Sequence, residues 1–416
     1  MPTYCDQAEN NVKKRKTIAL LIVASIVALA ALAVSTSWWR SRPQGTPVAI
    51  EFADAQISDR LASARVLALG EATHGTHEFM AARLQVLQKL VDRGFTTVAW
   101  EEDFGAIARV NSWLQGGPGT AEDAVRLFGY GLNKTSDTVS LLTWVRAHND
   151  THPASEQIRF VGVDAARPSA TKQLALDWLA TRDAAAAADL SSRLAGFTDD
   201  TMWNQTVASE VAGAVVELRA AVTASDDGTQ AAAEAAQAAR VLEQTRQRAS
   251  ADNRDRMMFD NLSWVVEQGA ASGREHTLVF GHNGHLDRAG QATSVGGDTL
   301  GKLAAQKWGD GYRVIGTDGH RVSVNSAGTV TTVTVNGRLR GLFEGTRVGY
   351  LELAAVTGDN AGLLTQPTTM VSAGEPFEGW QAWLPMLHSV RVTPAKAWDA
   401  LIYVWDAAPT ERISGR

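Results

Sequence analysis

Two hydrophobic periods alternate along the chain. Short apolar or β-branched runs at 64–70 (ARVLALG), 95–100 (FTTVAW), 158–163 (IRFVGV), 276–281 (HTLVFG) and 312–317 (YRVIGT) predict strands. Between them, residues 76–93 carry Phe79, Leu84, Leu87, Leu90 and Val91 at helical spacing, and 104–115 and 141–150 predict further helices. This alternation predicts an α/β fold with a mostly parallel central sheet flanked by helices. From about 170 to 270 the chain is rich in alanine and shows no strand pattern, which predicts an inserted helical subdomain of antiparallel helices. Runs at 330–335, 348–355 and 399–405 predict more strands, gathered at one edge of the sheet.

The N-terminus follows another rule. Residues 1–16 end in KKRK, and residues 17–39 (TIALLIVASIVALAALAVSTSWW) contain no charge. At about 1.5 Å per residue such a run can cross a hydrocarbon layer of roughly 30 Å. The basic residues before it predict a cytoplasmic tail (1–16) and an N-terminal transmembrane helix (17–39), a linker (40–55) and a catalytic domain (56–416) outside the cytoplasm. Ala31-Leu32-Ala33 resembles a cleavage site, so a removed signal segment is the rival reading, and the domain is then secreted.

Composition narrows the function. The 416 residues allow one large domain or two, with 45% apolar and 20% charged content, as in ordinary folded chains. A net charge of −6 argues against nucleic acid as a partner. The single cysteine, Cys5, excludes intrachain disulfides, thiolate metal sites and a catalytic thiol in the folded body.

The chemistry collects where the strands end. The first run is followed by Glu71 and His74, the second by Glu101, Glu102 and Asp103, and the third by Asp164. The fourth is followed by His282 and His285, and the fifth by Asp318 and His320. If the strands are parallel, these groups share one rim, where open α/β sheets bind ligands. Glu102 and Asp103 are expected to cap the next helix, His77 to lie at the surface, and Glu78 to pair with His74 across one helical turn. No G-x-S-x-G, G-x-x-x-x-G-K-[ST] or H-E-x-x-H occurs. A carboxylate-polarised histidine can take a proton from water, and an imidazole or arginine can stabilise the resulting oxyanion. The same donors suit a divalent metal, and spacing alone leaves both readings open.

Together, LGEATHGTHEF (69–79), Arg83, GFTTVAWEEDFG (94–105) with VNSWLQGG, FVGVDA (160–165), NRDRMMFDN (253–261) and VFGHNGHL (279–286) resemble the erythromycin esterase family. The resemblance runs from about residue 60 to 320, and the last 80 residues add little to it beyond ALIYVWDAAPTE. It implies an α/β fold with helices over a cleft, hydrolysis of a macrolide lactone by some members, and no essential metal. By motif match His74 is the general base, and Glu71, Arg83, Glu101, His282 and His285 fill the other catalytic positions. In this reading Glu71 or Glu101 orients His74, while Arg83, His282 and His285 position the carbonyl of a small-molecule ester or lactone. Asp164 and Trp113, both in the quoted motifs, are assigned to substrate binding. The alternatives are a metal-dependent hydrolase on the same cluster and a non-catalytic surface module that binds a ligand in the cleft.

Overall fold

The computed structural model describes residues 43–248, 253–293 and 297–413. In chain order its strands are β1 (Ile50–Glu51), β2 (Val66–Glu71), β3 (Thr97–Asp103), β4 (Arg159–Asp164), β5 (Thr277–His282) and β6 (Tyr312–Ser326). They continue with β7 (Thr329–Thr334), β8 (Val348–Glu352), β9 (Thr368–Val371), β10 (Ser389–Val392) and β11 (Ala400–Ala407). The main sheet runs β1-β8-β11-β6-β2-β5-β3-β4, with β7 paired to β6. All contacts from β11 to β4 along this order are parallel. The five strands expected to share a rim are therefore neighbours and point the same way.

The strands read as continuous apolar runs because helices cover both faces of the sheet. Alternate side chains of β2 divide between two cores. Leu67 and Leu69 join Trp100, Phe160 and Phe280 on one face, and Val66 and Ala68 join Val279, Met258 and Leu262 on the other. The helix expected over 76–93 spans His77–Leu90 and tightens into a 3₁₀ turn at Val91–Arg93. The next, Phe104–Leu114, starts on the Asp103 carboxylate, which accepts from Ala106 N at 2.8 Å.

The alanine-rich region folds into helices Pro168–Ala180, Ala184–Arg193, Gln205–Glu210, Ala212–Ala224, Gln230–Arg248 and Arg254–Ala271. The first five share a core of their own around Leu176, Leu179, Phe197, Leu218 and Leu242.

Of the expectations about the C-terminal third, one holds and one needs correction. The late strands gather at one edge of the sheet as expected: β8 and β11 lie side by side next to β1, and β7 pairs with β6. β6 does not stop near residue 317 but runs on to Ser326 and turns back as β7. A separate two-stranded sheet, β9 with β10, also forms. Among the described residues no helix is long and apolar enough to cross a membrane. The segment expected to do so, 17–39, lies outside the described residues.

Candidate active site

β2 and β5 are in parallel register, with Glu71 opposite His282. β3 carries an irregularity between Trp100 and Asp103 where it meets β4. The extra residue of such a bulge re-aims side chains. Here it sends Glu101 toward β5, where Oε2 accepts from His282 N at 2.7 Å, and Glu102 toward the loop at 129–133. Gly162 faces the bulge from β4, and a Cβ there would run into the carbonyls of Glu102 and Asp103.

After β2 the chain makes a tight turn through 72–76. Gly75 adopts φ 77° against the Asn325 backbone, where a side chain has no room. The C-terminal third fixes this turn from several sides. Ala72 N donates to Thr317 Oγ1 at 2.7 Å, and His74 N donates to Ala373 O at 3.1 Å. Asn325 N and Thr410 N both donate to Gly75 O, at 2.9 and 3.0 Å.

This turn presents His74. Its Nδ1 lies 2.6 Å from Glu71 Oε1, so Nδ1–H donates to the carboxylate and Nε2 is left with its lone pair. No partner holds Nε2 among the described residues, and the ring is partly open to solvent. Behind Glu71, Arg83 Nη2 sits 2.9 Å from Oε2. Arg83 also donates to Asn133 Oδ1 at 3.1 Å and stacks 4.7 Å from the Trp100 ring. Burial opposes the charge on Glu71, but Arg83 and His74 outweigh it and hold this carboxyl below its usual range. Burial likewise opposes the charged form of His74, but the hydrogen bond and charge of Glu71, together with Glu101, push its pKa above the ordinary value.

The expected roles of Arg83 and His282 need correction. Arg83 is buried behind Glu71, so it positions the carboxylate and does not reach a substrate carbonyl. The His282 ring packs 4.9 Å from that of His74. Its Nε2 donates to Ala72 O at 3.0 Å, and its Nδ1 accepts from Gly284 N at 3.1 Å. Both ring nitrogens are thus bound to backbone. Burial and the neighbouring His74 push its pKa down to about 4, so it is neutral at pH 7.

The opposite wall centres on a residue with no role assigned in advance. Arg254 Nη2 donates to Glu101 Oε1 and to Asp164 Oδ2, each at 2.6 Å, and Nε reaches Asp164 Oδ2 at 2.9 Å. Its Nη1 donates to His285 Nε2 at 2.9 Å, while His285 Nδ1 lies 2.9 Å from Asp255 Oδ1. These bonds fix the tautomer of His285 with its proton on Nδ1. The 3.4 Å contact of Nε2 with Glu101 is therefore proximity to the carboxylate rather than a hydrogen bond. Burial would raise Glu101, but His285, Arg254 and His74 hold it well below the usual carboxylate range.

Asp164 is brought to the site but fully buried, which corrects its assignment to substrate contact. It accepts from Arg254, from Arg248 Nη1 at 3.2 Å and from Tyr130 Oη at 2.5 Å, and so acts through Arg254. Arg248 in turn stacks 4.9 Å from the Trp203 ring, which is largely exposed. One signal for Arg254 was present in NRDRMMFDN. A cation in the first turn of a helix opposes the macrodipole and needs a compensating anion.

Other candidates lie outside this cluster. Trp113 ends the helix that starts at Phe104, about 14 Å of helix from the rim, and donates to Gly119 O under the Arg146 guanidinium. It is not placed to bind substrate. Glu78 does not pair with His74, which precedes the helix; it accepts from Ala408 N at 2.8 Å. His77 is half exposed and meets Asp137 at 2.7 Å. Glu102 caps no helix; it holds Tyr130 N and Asn133 Nδ2, and burial pushes it up to about 7. Asp318 and His320 lie within the continued β6, where Asp318 accepts from Val371 N at 2.9 Å and His320 Nδ1 meets Val335 O at 3.1 Å.

Among the described residues no three His, Cys, Asp or Glu side chains gather as a metal would require. The oxygens of Glu71 and Glu101 are instead taken up by His74, Arg83, Arg254 and the His282 amide.

Residues 90–407 match the family model for erythromycin esterase. That stretch includes Glu101, Asp164, Arg254, His282 and His285, while Glu71, His74 and Arg83 lie ahead of it. A 104-residue segment is 35% identical to an Escherichia coli protein described as erythromycin esterase type II, covering 25% of this chain and 24% of that one. The chain thus aligns with about a quarter of that relative's length. Among solved structures, a Bacillus cereus protein superposes with TM-score 0.72 at 18% identity, over 90% of this chain and 98% of that one. A succinoglycan biosynthesis protein gives TM-score 0.72 at 16% identity, over 89% and 95%. A mutant of the erythromycin esterase EreC in its open conformation gives TM-score 0.62 at 16% identity, over 88% and 98%. At these identities the superpositions establish the shared fold.

Proposed function

The chain belongs to the erythromycin esterase family, and from that premise we propose that its cleft hydrolyses a carboxylic ester or lactone by direct attack of water, with His74 as general base. The observation that carries this reading is the 2.6 Å bond from His74 Nδ1 to Glu71, which leaves Nε2 unprotonated on a ring partly open to solvent. His282 and His285 have no comparable free lone pair, since each accepts a hydrogen bond through the ring nitrogen that lacks a proton.

In the reaction, a water oxygen bonds to the carbonyl carbon while its proton passes to His74 Nε2. Glu71, kept ionised by Arg83, stabilises the imidazolium. Negative charge grows on the former carbonyl oxygen, and the partly exposed Arg254 supplies the facing positive charge. Collapse breaks the bond between the acyl carbon and the ester oxygen, and Nε2 returns its proton to the leaving alkoxide. The products are an acid and an alcohol, or one hydroxy acid from a lactone. Trp203 and Arg248, beside Asp164, form the wall against which the substrate body lies.

The same reading includes an anchor. Residues 17–39, uncharged and preceded by KKRK, hold the chain in a membrane with its catalytic domain outside the cytoplasm. The test of the hydrolase is a mass-spectrometric screen of simple esters and lactones with the full chain. Release of acid and alcohol from at least one of them is expected, and a chain that leaves every one intact contradicts the reading.

A further inference from the structure

Trp380, Trp383, Leu384, Met386 and Leu387 are all exposed within eight consecutive positions, with Trp383 84% and Met386 78% accessible. They occupy two 3₁₀ turns, Gly379–Trp383 and Pro385–Leu387, and the Leu384 that joins them, in the connection between β9 and β10. The loop is built to show them. Glu378 N donates to Gln381 Oε1 at 2.6 Å, Trp380 Nε1 to Glu378 Oε2 at 2.5 Å, and Ser389 Oγ to Pro385 O at 2.6 Å. Phe377, just before the turns, is buried against Val324 and Val333 and anchors the loop from below. Soluble surfaces rarely gather apolar side chains so densely without a partner, and exposed tryptophans beside long aliphatics suit the lipid–water boundary.

The position of the loop indicates what covers it. Its root at Ala373 exchanges backbone hydrogen bonds with Ala72 and His74, both at 3.1 Å. The opposite end of β9, at Thr368 and about 10 Å of strand from the loop, is tied to Gln44, near the first described residue. Gln44 N donates to Arg338 O at 3.0 Å, and Arg338 N donates to Thr368 Oγ1 at 3.2 Å. Only residues 40–42 separate Trp39, the end of the uncharged run, from Pro43. Four extended steps reach at most about 14 Å. Whatever surface receives residues 17–39 therefore lies within reach of the end of the fold where β9 begins, one short strand from the loop.

We propose that the loop 377–388 is a membrane-docking element, and that Trp380, Trp383, Leu384, Met386 and Leu387 enter the bilayer interface and seat the His74 turn beside the lipid surface. This rests on the reading of residues 17–39 as an anchor. The full chain carrying Cys5→Ser and Trp383→Cys, spin-labelled and reconstituted into phosphatidylethanolamine–phosphatidylglycerol vesicles, tests it. A second variant, Met386→Cys, reports the same loop should Trp383→Cys fail to fold. Val216→Cys, on the helix Ala212–Ala224, serves as a solvent-exposed reference. The loop label is expected to collide with oxygen more often than with a water-soluble nickel chelate, and the reference label to do the reverse. If the chain floats with the vesicles but the loop label is as open to nickel as the reference, the docking proposal is overturned and the anchor stands. If the chain does not float at all, the anchor reading fails and the docking proposal fails with it.

Discussion

His74 Nδ1 and Glu71 Oε1 are 2.6 Å apart, and Arg83 lies 2.9 Å from the second oxygen of the same carboxylate. Arginine, carboxylate and imidazole thus form a line from the core to the partly exposed His74 ring, whose Nε2 has no partner among the described residues.

The first consequence is a pH dependence. The neutral form of His74 is the working base, and its pKa is raised above the ordinary value of 6.5. Activity should therefore fall as pH falls, with an acid limb in kcat/KM that lies above 6.5. Because Glu71 contributes to the raised value, Glu71→Gln should move that limb toward lower pH and lower the plateau by about 10²-fold or more. A pH–rate series on both proteins checks this, and an unmoved limb in the variant assigns the titration to another group.

Arg83 should matter for stability as well as rate. Arg83→Met leaves Glu71 ionised in the core with His74 alone, and loss of one partner of a buried pair costs about 3–5 kcal/mol. Denaturant unfolding should show a loss of that order alongside the loss of turnover. Arg83→Lys should recover part of the stability, although a lysine cannot both stack on Trp100 and reach Asn133 as Arg83 does.

His282 sets a pH slope in stability. Its folded pKa, about 4, is depressed below the unfolded 6.5, so the unfolded state binds the proton first. Stability should fall as pH drops from 6.5 toward 4, by on the order of 3 kcal/mol from this group. His282→Gln should lose this contribution, so the stability of the parent minus that of the variant should shrink between pH 6.5 and 5, a difference in which groups such as Glu102 that titrate in the same window cancel. Unfolding curves at both pH values measure it.

Arg254 holds two buried carboxylates, Glu101 and Asp164. Arg254→Met should destabilise the fold by several kcal/mol and abolish hydrolysis, whereas Trp203→Ala, at the exposed wall, should raise KM more than it lowers kcat. Steady-state kinetics of the two variants separates charge stabilisation from substrate packing.

Much of this arrangement was legible in the sequence. Each of the five runs that predicted parallel strands is one, because a strand buried on both faces must be continuously apolar. Glu71, His74, Glu101 and His285 meet as the strand-end argument required. What was hidden depended on registers and partners that no local pattern encodes. Asp318 looked like a strand-end acid because the pattern of β6 weakens after Thr317, yet the strand continues through pairing with β7. His282 looked like a catalytic imidazole until Ala72 O and Gly284 N were seen to occupy it. The C-terminal 80 residues carried little recognisable motif, yet Ala373 and Thr410 help hold the His74 turn in place. Arg254 was inside a quoted motif, but its role follows from acceptors distant in sequence, Glu101 and Asp164 at strand ends and His285 in the turn after β5.

The metal-dependent reading predicts loss of turnover on exhaustive dialysis against a chelator. The water-attack reading predicts unchanged turnover in protein whose metal content, measured alongside, has fallen to zero.

The most direct test of the central claim is the rate of hydrolysis by His74→Ala on the ester or lactone that the parent chain cleaves best, with folding checked by circular dichroism. A general base contributes about 10²–10⁴-fold, so a folded variant with no more than about a hundredth of the parent kcat is predicted. A folded variant that keeps more than about a tenth of it contradicts the role assigned to His74.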